Sequence, residues 1–439
     1  MNAGGGTSYV RLATMMVVLY AIQGAWWPLL AVHLNDLGLS GPQRGWIFAT
    51  LALASIAMPL GAGNLVDRSM ATQRYLALAC ALATGFLIIM ALGFVTKALP
   101  LFLLFLMFWL ILAPCFGLSN SLAFRNLPRP AEQFAGVRLW GTVGWMAVGF
   151  AVSIVMALTG AGKAGGGASE AFWIGACCSA FLAIFALRLP NTPPLARHDA
   201  PSRGLISTFE LARDPAVAVY LVAAFFMSLT TPFVFQVMPT YLESAGLPRS
   251  WMATTLTLGQ WPEILGLALM PRLVNRLGYK GTILLGFLAW FVRYATLSMN
   301  PPLWVAIGGI PLHGFGIAFA TIGGQMFIDS RAHPERRAGA QSLHMVVTSG
   351  LGSFLGSLLA GSIVGVFGVQ GPSGYAQVFL VPCLINGLLI PYFYLRFHPK
   401  WSVAEWEVLP DHSARPTARH VTRGSAMSLG HLATESADG

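Results

Sequence analysis

The sequence predicts an all-α membrane protein with twelve transmembrane helices in two pseudo-symmetric six-helix bundles. Three observations predict it. The 439 residues are 56% hydrophobic and only 10% charged, whereas soluble domains average roughly 45–50% and about 25%. The apolar runs are unbroken over about 20 residues, the length that crosses a bilayer as a helix. The strands of a transmembrane barrel would instead be ~10-residue segments of alternating character. Thirdly, the chain repeats itself, with matching segments 208 positions apart. An ordinary soluble enzyme is excluded, and 28 Phe with 13 Trp exclude a disordered chain. The net charge of +10 points to a basic cytoplasmic face and not to nucleic acid.

In chain order the first six spans run near 10–33, 44–66, 74–96, 99–124, 134–158 and 171–189. The second six run near 213–240, 250–272, 281–299, 303–328, 337–367 and 375–396. The first is a true span and not a cleavable signal, because it is of full helix length, Trp-rich and without a small-residue cleavage site. Pro190, Pro193, Pro194, Arg197, His198, Asp199, Pro201 and Arg203 form a Pro-rich charged linker between the bundles. The last 43 residues, 397–439, are polar and of mixed charge, a mobile tail with Trp401 and Trp406 placed to rest on the membrane surface. The organisation is thus 1–189 for the N-terminal bundle, 190–212 for a cytoplasmic linker, 213–396 for the C-terminal bundle and 397–439 for the tail. Cys80, Cys115, Cys177, Cys178 and Cys383 all lie in apolar runs and behave as small buried residues, with no disulfide framework.

Lys and Arg orient the chain. With twelve spans, 20 basic residues fall on the side that holds both termini. Four (Arg44, Lys97, Lys163 and Arg249) fall on the other, and Arg138 and Arg293 lie within spans. The positive-inside rule then puts both termini in the cytoplasm, as expected of a multi-pass protein of the cytoplasmic (inner) membrane. The repeat pairs His33–Leu39 at the end of the first span with Tyr241–Leu247 at the end of the seventh. It also pairs Leu65–Arg68 with Leu273–Arg276. Two parallel six-helix repeats joined by a cytoplasmic linker resemble the major facilitator superfamily, whose substrate site lies between the bundles near the midplane. Gly63-Asn64-Leu65-Val66-Asp67-Arg68 is similar to that superfamily's loop after its second helix. Gly63, Asp67 and Arg68 would then form the gating loop. A generic turn with positive-inside charges is the plainer reading.

Ionisable groups inside a bilayer are costly, so each is a functional candidate. Arg138, Thr142, Trp145 and Gly149 fall on one helix face. A guanidinium fork, a hydroxyl and a ring suit a polar aromatic solute, although a snorkelling Arg on a packing face has the same spacing. The corresponding face of the eleventh span carries Gln341, Met345, Thr348 and Gly352, with His344 beside it. Gln260 and Glu263 are helix neighbours with Pro262 between them, which can kink the span and free a carbonyl. Glu263 can carry a proton. Arg293 lies about 6 Å from it in depth at 1.5 Å per residue and is its expected charge partner, in coupling or in a purely structural pair. His313 sits mid-span and is a candidate both for substrate binding and for the proton path, or else simply bonds a backbone carbonyl. Gln23, followed by Trp26 and Trp27, faces the pathway, and Asn120 is placed to reach Arg138 across the bundle. Ser349, Gly352, Ser353, Gly356, Ser357 and Gly361 read as close helix packing. There is no Gly-x-x-x-x-Gly-Lys-Ser/Thr stretch, so ATP is not the direct energy source. No nucleophile elbow or zinc motif occurs, no cofactor is called for, and the chain does not read as an enzyme.

Val137-Arg138-Leu139-Trp140-Gly141-Thr142-Val143-Gly144-Trp145 resembles the fifth-helix signature of the nucleoside–proton symporters within that superfamily. Gln260-Trp261-Pro262-Glu263 is similar to their eighth-helix Gln-x-x-Glu, and Ala289-Trp290-Phe291-Val292-Arg293 to their ninth-helix Ala-Trp-x-x-Arg. The blocks span residues 10 to 395. The resemblance implies a symporter that moves a nucleoside with a proton by alternating access, a monomer with the lipid bilayer as its surroundings. Arg138, Thr142, Gln260 and Glu263 would contact the nucleoside, with Trp145 at the family's aromatic position. Two departures stand out. The seventh-helix Gln and Asn are not reproduced in 229–236, where Thr231 or Gln236 can substitute. In the tenth helix His313 stands at the family's Tyr and Ile317-Ala318 at its Phe-Asp, which leaves Glu263 as the main proton carrier. Two other classes remain open at this level: a proton symporter for an oligosaccharide or aromatic acid, and a non-transporting membrane sensor.

Overall fold

The computed structural model describes residues 3–57, 70–160, 168–193, 210–332, 337–367 and 371–399. The first helices are α1 (Ala3–Asp36), α2 (Gly41–Ala57), α3 (Thr72–Ala91), α4 (Ala98–Asn126), α5 (Pro130–Thr159) and α6 (Ser169–Ala186). After residue 210 come α7 (Pro215–Thr230), α8 (Phe233–Gln236), α9 (Met238–Ser244), α10 (Arg249–Thr257) and α11 (Gln260–Ser298). They are followed by α12 (Leu303–Gly308), α13 (Pro311–Gly316), α14 (Gly323–Arg331), α15 (Arg337–Met345), α16 (Ser353–Phe367) and α17 (Gly371–Arg396). The described residues form helices and no strand, as expected where lipid offers backbone groups no hydrogen bonds. Ten helical segments among them are long and apolar enough to cross a bilayer.

One of the ten, Arg249–Ser298, is 50 residues long, about 75 Å at 1.5 Å per residue and more than two hydrocarbon cores deep. It is broken at Gly278 (φ 64°, ψ 178°), backbone that only glycine adopts readily. The expected boundary between the eighth and ninth spans falls there.

The internal repeat is visible in the local structure. α1 ends at Asp36 and α9 at Ser244, 208 residues apart, and α2 and α10 begin at Gly41 and Arg249, again 208 apart. Between them Gly38 (φ 71°) and Gly246 (φ 98°) take the left-handed conformation. Leu39 N–H donates to Leu34 C=O and Leu247 N–H to Leu242 C=O. This six-to-one bond closes a helix end whose carbonyls would otherwise be unpaired.

Several connections differ from uninterrupted spans. The seventh apolar segment breaks at Thr231–Pro232, because Pro232 has no N–H to continue the α7 ladder. The tenth and eleventh contain π-helical stretches at Ile317–Ile322 and Val346–Gly352. The eighth is interrupted at Leu258–Gly259, and Pro262 lies in the first turn of α11. No intrahelical N–H bond is required in that turn, so the expected mid-span proline kink is not what breaks the helix. The start of the linker is docked, with Asn191 and Thr192 bonded to Gln73 and Asn126. Phe397, assigned to the tail, is buried against Phe327 and Phe393 at ring separations of 4.9 and 4.3 Å. The rest of the linker (194–209) and the tail with Trp401 and Trp406 lie outside the described residues. All five cysteines are free thiols; Cys177 is exposed and Cys178 half-buried, contrary to full burial.

One end of the molecule is closed by contacts between residues of 1–189 and of 213–396. Asp36 at the end of α1 receives two hydrogen bonds of 2.6 Å from Arg249, which also pairs with Glu243. Gly41 and Gly45 of α2 lie against Gly361 and Ser357 of α16. Ser153 of α5 accepts from the Thr254 hydroxyl of α10 at 2.8 Å. Arg44, at the same end, donates to Asn35 at 3.0 Å.

Candidate functional site

α1 and α5 cross so closely that a Cβ on Gly144 would overlap the Val17 carbonyl. That contact sets one wall of the site. It brings the half-buried Tyr20 under Arg138, whose guanidinium carbon lies 4.3 Å from the ring centroid. Arg138 also acts electrostatically on Glu263 from across the site, and both charges act on Tyr20. Glu263 sits one turn into α11, where Gly314 of α13 packs on the backbone from Gly259 to Glu263. His313 is thereby held next to Gly259, with its ring carbon 3.2 Å from where a Cβ would stand.

A cavity of about 320 Å³, within the range of small-molecule sites, lies beside this group. Gln23 and Trp27 of α1, Ser55 of α2, Trp145 of α5, Thr231, Phe235 of α8, and Ser349, Ser353 and Ser357 line it. Phe235 is the hub of its aromatic wall. Its ring lies 6.2 Å from Trp27, 6.3 Å from Trp145 and 6.2 Å from His313. Such a wall presents π-faces for a planar ring, while the serines and Gln23 offer donors and acceptors. The serine stripe expected only to pack helices does so, with Gly352 and Gly356 against Ser228 and Leu229, but its hydroxyl-bearing members also face the cavity.

The structure brings some predicted residues together and not others. Gln23 and Trp145 line the cavity. Glu263 is within electrostatic reach of Arg138 without a direct ion pair between them, and Thr142 and Gln260, neighbours of these two in sequence, are half-buried. Thr231 faces the cavity, whereas Gln236 is buried and donates to the Ser357 carbonyl at 3.2 Å. Arg293 does not pair with Glu263. It is 1% exposed, with Trp290 5.9 Å away and Tyr294 as its electrostatic neighbour. Matching depth was a poor guide here, because depth along a helix does not set which neighbour a side chain meets. Asn120 makes no hydrogen bond to Arg138, and its Oδ1 has no bonding atom among the described residues. His344 stacks on Tyr220 of α7 and shares a 3.0 Å hydrogen bond with its hydroxyl, so it fastens helices. Gly63, Asp67 and Arg68 lie outside the described residues. Tyr20 and Phe235 were missed. Tyr20 carries a phenol in an apolar run three residues before Gln23, which was a usable signal, but nothing local marks Phe235.

Residues 7–402 match the sequence profile of the nucleoside H+ symporter family. The chain belongs to this family. It is 30% identical over 372 residues to the putative nucleoside transporter YegT of Escherichia coli, covering 82% of this chain and 86% of that protein. It is 25% identical over 395 residues to the xanthosine permease of the same organism, covering 85% of this chain and 91% of the relative. Its fold resembles that in the crystal structure of the nucleoside transporter NupG, with TM-score 0.79 and 22% identity over 91% of this chain and all of that one. These are transporters and not enzymes. The symporter described here is thus a multi-pass, all-helical membrane protein.

Proposed function

We propose that this symporter carries a nucleoside and a proton together across the inner membrane, by alternating access between two six-helix bundles of a twelve-span monomer with both termini in the cytoplasm. The break at Gly278 supports counting Arg249–Ser298 as two spans, and α2 is the remaining one. The observation that carries the reading is that Arg138 of α5 and Glu263 of α11 lie within electrostatic reach of each other beside an aromatic-walled cavity.

The nucleobase lies against Trp145 and Phe235, and Arg138, Thr142 and Gln260 bind the sugar hydroxyls with Glu263. Gln23 contacts the same solute, and Asn120 remains a secondary candidate. Glu263 takes up the proton when Arg138 turns from it to the substrate. A carboxyl beside a cation favours the charged form, and loss of that neighbour favours protonation. His313, behind Phe235, is the second group on the proton path, and Gly63, Asp67 and Arg68 form the loop of the inward/outward switch. Loading then permits closure and rocking by population shift.

Glu263→Gln is expected to abolish uridine accumulation driven by an imposed proton gradient in vesicles while sparing uridine exchange. Full accumulation by this variant overturns the coupling role. A wild type that moves no uridine, but moves an oligosaccharide or aromatic acid in a competition panel, overturns the nucleoside assignment.

A further inference from the structure

Behind Phe235 lies a charge that nothing above uses. Arg293 is 1% exposed, and its Nε and Nη1 have no hydrogen-bond acceptor among the described residues. A guanidinium does not shed its proton in a protein, and burying an unpaired charge costs several kcal/mol. None of the described ion pairs reaches Arg293. Asp36 and Glu243 hold Arg249, Asp214 holds Arg331, Asp329 holds Arg337 and Glu132 holds Arg129; Glu263 is under the influence of Arg138, and Glu170 of α6 has an unpartnered oxygen of its own. Tyr294, the electrostatic neighbour of Arg293, donates its hydroxyl to the Thr230 carbonyl at 2.7 Å. The Trp290 ring, 5.9 Å from the guanidinium carbon, offers only a weak cation–π contact.

A second group close by is also unpartnered. His313 is 7% exposed and its Nδ1 bonds nothing among the described residues. Its ring is 5.1 Å from the same Trp290 ring, and Arg293 is the charge that acts on it. Arg293 therefore has buried donors without an acceptor, and the Nδ1 of the neighbouring His313, a donor in one tautomer, has no partner among the described residues either.

We infer that Arg293 and His313 bind a small monovalent anion of halide type, separate from the nucleoside cavity. Phe235 lines that cavity and stands edge-on at 6.2 Å from His313, which does not line it, so the anion sits behind the cavity wall and apart from the nucleoside. The anion neutralises the guanidinium and fixes the ring over which Phe235 packs.

The test needs no nucleoside and so is independent of the transport reading. Thermal unfolding of the purified protein is followed in sodium chloride and in sodium gluconate at equal ionic strength. Chloride, and bromide in its place, is expected to raise Tm saturably by a few degrees where gluconate does not. Arg293→Gln is expected to lose that rise and Arg138→Gln to keep it. Equal Tm in chloride and gluconate overturns the inference, since the wild type alone decides even if Arg293→Gln does not fold. A chloride shift that survives in folded Arg293→Gln also overturns it.

Discussion

At the scale of single residues, the decisive feature is how two cations in the spans are treated. Arg138 has a carboxylate within electrostatic reach and a ring beneath it, while Arg293 has neither acid nor acceptor among the described residues. In the proposed cycle the first arrangement permits exchange, because a substrate hydroxyl would replace the carboxylate at little cost. Tyr20 holds the guanidinium by its face. Desolvated cation–π contacts are worth about 1–2 kcal/mol, so Tyr20→Ala is expected to raise the KM for uridine about fivefold to thirtyfold. Tyr20→Phe keeps the ring and should stay within about twofold. Equal effects of the two in an uptake assay would show that the hydroxyl and not the face does the holding. Arg138 and Glu263 were legible in the sequence because charge is rare in an apolar span. That Glu263 lies within the influence of Arg138 and not of Arg293 was not, because side-chain direction depends on helix rotation.

At the scale of helices, close approach decides the geometry. Gly144 lets α5 meet α1 backbone to backbone, and a Cβ there would overlap the Val17 carbonyl. Backbone cannot move aside as a flexible side chain does, so Gly144→Ala is expected to destabilise by ~1–3 kcal/mol, read as a fall in Tm of the purified protein. Gly85 of α3 has nothing within 4 Å of a Cβ, and Gly85→Ala is the control, without loss. Off the membrane-spanning segments, Asp214 joins α7 to α14. Burial pushes its carboxyl upward, but hydrogen bonds from Arg331 and from the Ala216 N–H outweigh this and hold it below the usual carboxylate value. Its contribution is therefore complete at neutral pH and fades only as pH falls below about 4.

For the whole molecule, the contacts described between residues 1–189 and 213–396 include a locked end. The Asp36–Arg249 fork, the Ser153–Thr254 hydrogen bond and the α2–α16 glycine contact all lie there. Alternating access requires this end to open. Hydrogen bonds to charged groups contribute ~1.5–3 kcal/mol, so Arg249→Gln is expected to shift the population about tenfold or more toward the open form. A cysteine at Thr254 should then react faster with a membrane-impermeant maleimide added outside whole cells. The doubly exchanged pair, Asp36→Arg with Arg249→Asp, should slow it again. No labelling from outside in any variant would reverse the orientation proposed from the basic residues.

By itself, the sequence determined the helical class, the repeat and the short set of charges worth studying. Each follows from local rules: apolar length for a span, a glycine at a left-handed turn 208 residues after its counterpart, and the cost of charge in lipid. Only the tertiary structure decided which groups meet. It broke the seventh apolar segment at Pro232, set Phe235 at the centre of the cavity wall and put Glu263 within electrostatic reach of Arg138, leaving Arg293 buried without an acid among the described residues. Those outcomes depend on how helices distant in the chain rotate and cross, and no spacing along one helix encodes the face its neighbour presents.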